Sequence, residues 1–307
     1  MTNHSIRTGL IGLGLMGRGI GHSLIRAGHR LGIATYRRRE VADELVAAGA
    51  WEASSPRELA SSCDVVVLCV SSAEASKECI LGENGVLASR CAGLLVIESS
   101  TLLPSVAVEI ASRLAAAQMD FVDAPVTRGP REAMEGRLNA LVGGQPLAVA
   151  RAQQVLSAFC ERSFVMGGVG SGYAAKLVNN FLAFNNMVAI AEAMTTAVAA
   201  GLTLPTLLEA IAVSGGQSRV LDGLAPWLTS GTETRSRVTI ATAHKDVEYF
   251  HAFSRDLGAG GPTSEQVLRA LTDAMGRGLA AEFTPAYLQH VASSAGVDLS
   301  QGRQTQG

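Results

Sequence analysis

Thr8-Gly9-Leu10-Ile11-Gly12-Leu13-Gly14-Leu15-Met16-Gly17 opens the organised part of the chain, and a helical pattern over residues 16–27 follows it without a break. The short aliphatic run predicts a strand over 8–11 that delivers a G-x-G-x-x-G loop into a helix N-terminus. In that setting Gly12 permits a tight turn, Gly14 lets the backbone approach a pyrophosphate, and Gly17 allows close helix packing. The helix start adds N–H groups and partial positive charge. An ordinary glycine-rich turn is the alternative, but the loop sits inside a βαβ unit, which favours dinucleotide binding by Gly12, Leu13, Gly14, Leu15, Met16 and Gly17.

Working outward, further strands are expected over 31–34, 64–69, 94–98, 121–123 and 138–142, alternating with helices such as 16–27, 41–48 and 105–117. That alternation is the pattern of a parallel sheet covered on both faces. Ser55-Pro56-Arg57-Glu58 carries the serine, proline and acid of a helix start. After Gly172 the strand signals nearly vanish, and alanine- and leucine-rich segments run to about residue 292. The glycine-rich stretch 167–172 is the natural junction, so an α/β domain over 1–168 and an all-helical domain over 169–307 are expected. The first helix of the second domain can run for about 30 residues, or roughly 45 Å. The polar tail 300–307 is expected to be frayed.

The second strand ends near Thr35, where an enzyme selective for NAD places an acid on the ribose 2′-hydroxyl. Here stand Thr35, Tyr36, Arg37, Arg38 and Arg39. An acid would repel a 2′-phosphate, whereas guanidinium groups bind phosphate through charge-assisted bonds. Tyr36, Arg37 and Arg38 are therefore expected to select NADP(H), with NAD(H) as the weaker cofactor. A solvated arginine loop is the alternative.

Composition excludes several functions. The net charge is -2, with only 17% charged residues in 307, so the chain lacks the basic field that nucleic acid or anionic lipid requires. The five cysteines are odd in number and lack C-x-x-C spacing, which suits reduced core thiols of a cytoplasmic protein and no metal site. Residues 1–8 are short and polar, so no signal peptide is expected. The apolar stretch 177–204 is interrupted by Asn179, Asn180, Asn185, Asn186 and Glu192, which favours a buried core helix over a membrane span.

Two segments carry candidate chemistry. Asp123-Ala124-Pro125-Val126-Thr127-Arg128-Gly129-Pro130 follows a strand, so the Thr127 hydroxyl, Arg128 and the Gly129 N–H are expected to converge at the carboxyl edge of the sheet, where open α/β sheets bind ligands. Arg128 offers a planar fork for a carboxylate, sulfonate or phosphate; the alternative is a solvent-facing arginine. Lys176 and Asn180 stand four residues apart at the start of the long helix and share one face. A partly desolvated lysine there can pass the hydroxyl proton while a hydride moves. A lysine near a helix start is more often a surface charge, but Ala175, Leu177 and Val178 surround this one. His244 is a weaker candidate base within a helical stretch over 242–256.

The order of these segments resembles the β-hydroxyacid dehydrogenase family, which includes the 3-hydroxyisobutyrate and tartronate semialdehyde enzymes and is related to 6-phosphogluconate dehydrogenase. The resemblance spans almost the whole chain. It rests on 9–17, on Ser100-Thr101 with Pro104, on 123–129 continuing to Gly136 and Gly143-Gly144, on 170–180, and on Lys245-Asp246. It implies a Rossmann-type doubly wound sheet followed by an all-helical domain built on a long interdomain helix. It also implies that Lys176 is the acid/base and Asn180 orients a small anionic hydroxy acid or its semialdehyde. Thr127, Arg128, Gly129 and Lys245 would then bind the substrate, while Val70, Thr101 and Lys245 would line the cofactor. A homodimer or homotetramer is expected.

One position departs from the family. The usual Ser-Gly-Gly of the substrate loop is Thr127-Arg128-Gly129, a change similar to that in sulfolactaldehyde reductases, and it points to a substrate with a second anionic group. Two rivals remain at this point: an imine reductase-like enzyme, against which Lys176 argues, and a non-catalytic NADP-binding sensor.

Overall fold

A computed structural model describes residues 6–34, 38–232 and 238–303. Among them the chain forms two compact units, residues 1–176 and 177–307. The first unit carries one sheet of β1 (Arg7–Ile11), β2 (Arg30–Ala34), β3 (Trp51–Ala53), β4 (Val65–Leu68), β5 (Leu95–Glu98), β6 (Asp120–Asp123), β7 (Val126–Thr127), β8 (Leu138–Gly144) and β9 (Cys160–Gly167). Its order is β3-β2-β1-β4-β5-β6-β8-β7, with β9 beside β8. The first six strands run parallel in the order 3-2-1-4-5-6 of dinucleotide-binding sheets.

The two faces follow from the period-2 geometry of a strand. Leu10, Val65, Val67, Leu95 and Ile97 join one apolar cluster, while their neighbours Ile11, Val66, Leu68 and Val96 join another. Both clusters are roofed by the helices α1 (Leu15–Arg26), α2 (Arg39–Ala47), α3 (Pro56–Ser61), α4 (Ala73–Leu81), α5 (Pro104–Ala115), α6 (Pro130–Glu135) and α7 (Pro146–Leu156). Ser55 caps α3 as its sequence implies, accepting the Glu58 N–H at 3.2 Å.

Three strands fall outside the sequence expectation. β3 and β7 have three and two residues, and β9 reads Cys-Glu-Arg-Ser-Phe-Val-Met-Gly with all but Cys160 and Ser163 exposed. With little to bury, none shows the alternation that betrays a strand. The sheet is also mixed, because β8 runs antiparallel to β6 and β7.

The second unit is helical, from the greater part of α8 (Ser171–Ala199) through α9 (Leu204–Ala212), α10 (Arg219–Ser230), α11 (Ile240–Asp256), α12 (Pro262–Gly276) and α13 (Thr284–Ser294). One core gathers Met187, Ala191, Met194, Leu228, Val247, Leu271 and Leu288. The 29-residue α8 is long and apolar enough to cross a membrane by length and composition, and only 39% of its most apolar window is buried. The expectation of a buried core helix is thus met along one side only, since Val178 and Leu182 are exposed. The tail differs from expectation as far as residue 303, and residues 304–307 lie outside the described residues. Residues Leu299–Arg303 form a short helical turn, because Leu299 enters the core and Arg303 donates to the carbonyls of Trp227 and Leu228.

Candidate active site

The glycine loop separates into two kinds of glycine. Gly12 has φ +96°, and a Cβ on it would lie 2.2 Å from the Cys69 carbonyl oxygen. One on Gly17 would lie 1.8 Å from the Gly12 carbonyl oxygen. The fold itself demands both. Gly14 is different: its backbone is extended, and a Cβ there meets nothing within 4 Å. The chain leaves open space in front of Gly14, at a helix start with no side-chain cap and no acid in its first turn. A pyrophosphate on backbone N–H groups fits that cradle.

Of the residues beyond β2, Tyr36 and Arg37 lie outside the described residues. Arg38 is exposed and carries no ion pair among the described residues. Arg39 is engaged by two carboxylates. Its guanidinium bonds Glu52 at 2.8 Å and Asp43 at 2.8 Å, and these carboxylates hold its pKa above the usual arginine value.

At the carboxyl ends of β4, β5 and β6 the chain builds a buried polar cluster. Val70 donates its N–H to the Ser100 hydroxyl at 2.8 Å, next to the half-buried Thr101. Glu98, fully buried, accepts from the Ser100 N–H at 2.8 Å, the Ser76 hydroxyl at 2.7 Å and the Tyr173 hydroxyl at 3.0 Å. Desolvation pushes the Glu98 carboxyl upward, against the pull of these donors. Asp123 accepts the Gly170 N–H at 2.8 Å and the Tyr173 N–H at 3.0 Å, so it caps α8; burial lifts its pKa to about 6.

Lys176 sits half-buried one turn further along α8. Its charge is felt by the Cys69 thiol at the end of β4. Desolvation and the Glu98 charge push that thiol to about 12, and Lys176 opposes them.

The loop expected to bind the substrate is tied to its neighbours in the fold. Thr127 pairs with Asn139 in the β7–β8 ladder. Arg128 adopts φ +76°, a left-handed conformation that favours glycine, and its guanidinium donates to the Arg137 carbonyl and the Glu161 carboxylate. The Gly129 N–H is donated to Glu132 at 3.1 Å within the cap of α6. The Arg128 guanidinium and the Gly129 N–H are thus engaged by different partners. What fixes the loop is α6, which packs on α1 where Ala133 meets Gly19 and accepts a 2.8 Å bond from Ser23.

In the helical unit, Asn180 is buried and donates to Asp246 at 2.6 Å while accepting from Asn179 at 3.0 Å. Lys245 pairs with Asp246 at 2.8 Å and lies over the Tyr249 ring at 4.8 Å. Asp246 thus holds the Asn180 amide through one oxygen and pairs electrostatically with the Lys245 amine through the other. His244 faces Thr272 at 3.0 Å instead.

Residues 7–168 match the family model described as the NAD binding domain of 6-phosphogluconate dehydrogenase, and residues 170–289 match the NAD-binding domain of NADP-dependent 3-hydroxyisobutyrate dehydrogenase. The chain belongs to the β-hydroxyacid dehydrogenase family. L-threonate dehydrogenase of Cupriavidus necator is 35% identical over 74% of this chain and 76% of its own. NAD-dependent L-serine dehydrogenase of Pseudomonas aeruginosa is 35% identical over 71% of this chain and 72% of its own. The crystal structure of a 3-hydroxyisobutyrate dehydrogenase from Salmonella typhimurium has a TM-score of 0.83 at 28% identity, covering 93% of this chain and all of that one. As a β-hydroxyacid dehydrogenase, the protein is an oxidoreductase that uses a pyridine nucleotide and acts on small hydroxy acids or their semialdehydes.

Four residues of this β-hydroxyacid dehydrogenase carry site geometry that sequence reasoning did not assign. Glu98 and Tyr173 meet across 75 positions, and Glu161 meets Arg128 across 33. Asp246 stands in a quoted motif, yet its hold on Asn180 crosses 66 positions and leaves no local trace.

Proposed function

We propose that the chain interconverts a small anionic 3-hydroxy acid and its semialdehyde with NADP(H) as the preferred cofactor, and that Lys176 is the general acid/base. The observation that carries this reading is the half-buried Lys176 on a helix whose first turn is tied to the same sheet edge as the glycine loop. When bound, the nicotinamide supplies or accepts the hydride. Lys176 Nζ delivers a proton to the carbonyl oxygen as it gains negative charge, and takes it back in the oxidation. Asn180, fixed by Asp246, orients the substrate, while Lys245 and Thr101 line the nicotinamide end as the family pattern implies. Gly12 to Gly17 hold the pyrophosphate, with Val70 against the cofactor.

Thr127, Arg128 and Gly129 take the substrate's acid group. A second anionic group on the substrate supplies the reason for a cation at the left-handed position 128, and it draws the guanidinium away from Glu161. The 2′-phosphate falls to Tyr36, Arg37 and Arg38. The enzyme works in the cytoplasm as a homodimer or homotetramer.

The test is oxidation of NADPH and NADH with tartronate semialdehyde, succinate semialdehyde, sulfolactaldehyde and a cyclic imine, and the reverse reaction with L-threonate and L-serine. We expect turnover of a semialdehyde with NADPH and its loss in Lys176→Ala, with cofactor binding retained. Turnover of the imine alone, or full activity in Lys176→Ala, overturns the reading.

A further inference from the structure

Tyr173 is held at both ends. Its amide donates to Asp123 at 3.0 Å and its hydroxyl to Glu98 at 3.0 Å, with the ring fully buried between them. Two fixed points at different radii from a helix axis set both the start of the helix and its rotation. Lys176 follows three residues later, on the same side of the helix. The anchor at the other end is equally firm: Glu98 also takes the Ser76 hydroxyl and the Ser100 N–H, and Ser100 in turn holds Val70. Close packing leaves the turn no slack, since a Cβ on Gly172 would lie 2.4 Å from the Leu141 carbonyl oxygen. The Cys69 thiol at the end of β4 feels both groups, Glu98 raising its pKa and Lys176 lowering it.

We propose that Tyr173, through its hydroxyl bond to Glu98, is a positioning residue for Lys176: it sets the rotation of the first turn of α8 and so the place of the amine. This rests on the reading of Lys176 as the acid/base. It gives Glu98 and Tyr173 a function beyond filling the core. Neither touches the reacting atoms.

The test compares Tyr173→Phe, Glu98→Gln and Lys176→Ala with the wild type, using NADPH and the semialdehyde of the panel that the wild type reduces fastest. A displacement of the amine by about 1 Å lowers kcat roughly 10- to 100-fold. For Tyr173→Phe we expect that loss with KM for NADPH and for the aldehyde within about twofold, and a larger primary isotope effect on kcat with deuterated NADPH. Hydrogen exchange over residues 170–176 should quicken while the rest of the sheet domain is unchanged. Glu98→Gln, which still presents an oxygen to the hydroxyl, should lose less than Tyr173→Phe.

If Lys176→Ala is inactive and Tyr173→Phe keeps kcat within twofold, the positioning role is wrong and the Lys176 reading survives. If kcat, both KM values and the melting temperature deteriorate together in Tyr173→Phe, the residue is merely structural and the proposal also falls. If Lys176→Ala retains turnover, or the wild type reduces none of the aldehydes, the Lys176 reading fails. The proposal falls with it, whatever the exchange over 170–176 shows.

Discussion

Replacing each glycine of the nucleotide loop by alanine separates what the fold requires from what the ligand requires. At position 12 an alanine must hold φ +96° and place its Cβ 2.2 Å from a backbone oxygen. The left-handed backbone contributes about 1–2 kcal/mol and the overpacking about 1–3 kcal/mol, together roughly 2–5 kcal/mol of a stability that is typically about 5–15 kcal/mol. At position 17 the added methyl group lies 1.8 Å from a carbonyl oxygen that belongs to the loop itself, so relief of the clash distorts the loop. A gain of about 1 kcal/mol in helix propensity only partly offsets this. At position 14 the methyl group meets nothing within 4 Å, and the fold loses only the preference for glycine over alanine at an N-cap, about 0.5–1 kcal/mol. The space it fills is the space in front of the helix amides. Losing one charge-assisted bond to a phosphate, about 1.5–3 kcal/mol, weakens cofactor binding roughly 10- to 150-fold. Denaturant unfolding and NADPH fluorescence titration read the two effects independently. The expected pattern is near-normal stability with poor binding for Gly14→Ala, and lost stability for Gly12→Ala and Gly17→Ala. Wild-type affinity in Gly14→Ala refutes the assignment of that open space to the cofactor.

Two further outcomes follow. Arg128→Gly removes a left-handed non-glycine residue, a relief of about 1–2 kcal/mol, and gives up an exposed ion pair to Glu161 and an exposed hydrogen bond to the Arg137 carbonyl; the melting temperature should hold or rise while KM for a dianionic substrate climbs by orders of magnitude. Unchanged kinetics removes Arg128 from the substrate site. His29, bonded to Thr8 at 2.9 Å, has its pKa lowered from 6.5 by burial, so the unfolded chain binds the proton first as pH falls. Its contribution to stability is therefore full above about pH 6.5 and declines as the pH drops through that value toward the lower folded-state pKa. Urea unfolding at stepped pH should show a shallower decline in His29→Gln than in the wild type, and parallel curves would refute the assignment.

What the sequence made legible divides along physical lines. β1, β2, β4, β5, β6 and β8 announce themselves because each buries most of its residues, and burial is written in aliphatic runs such as Val65–Leu68. β3, β7 and β9 bury little and write nothing. The long α8 is readable as a helix, but which side of it is covered is not, since Val178 and Leu182 are as apolar as the buried Leu177. The glycine loop is the clearest functional signal because each glycine answers a separate steric demand. The loop proposed to bind the substrate is the weakest. The strand pairing of Thr127 and the partners of the Arg128 guanidinium and the Gly129 N–H lie at Asn139, Glu161 and Glu132, beyond the reach of the local pattern.

That division bears on how the chemistry is built. The residues read from sequence, Lys176 and Asn180 above all, owe their recognition to their spacing on one helix. Neither is effective through spacing alone. Asn180 needs a buried carboxylate to choose between its two amide orientations, and Asp246 supplies one at 2.6 Å. On the reading developed above, Lys176 needs its helix fixed in rotation, and the buried Asp123 and Glu98 hold the turn before it. Each long-range partner is an acid buried where a polar group left without its donors is expensive. The same desolvation that makes Glu98 and Asp123 costly also makes their geometry exact to within a hydrogen bond, because leaving any donor unmade exposes the full penalty. If Lys176 is the acid/base proposed, its helix is held by the fold of the nucleotide-binding unit itself.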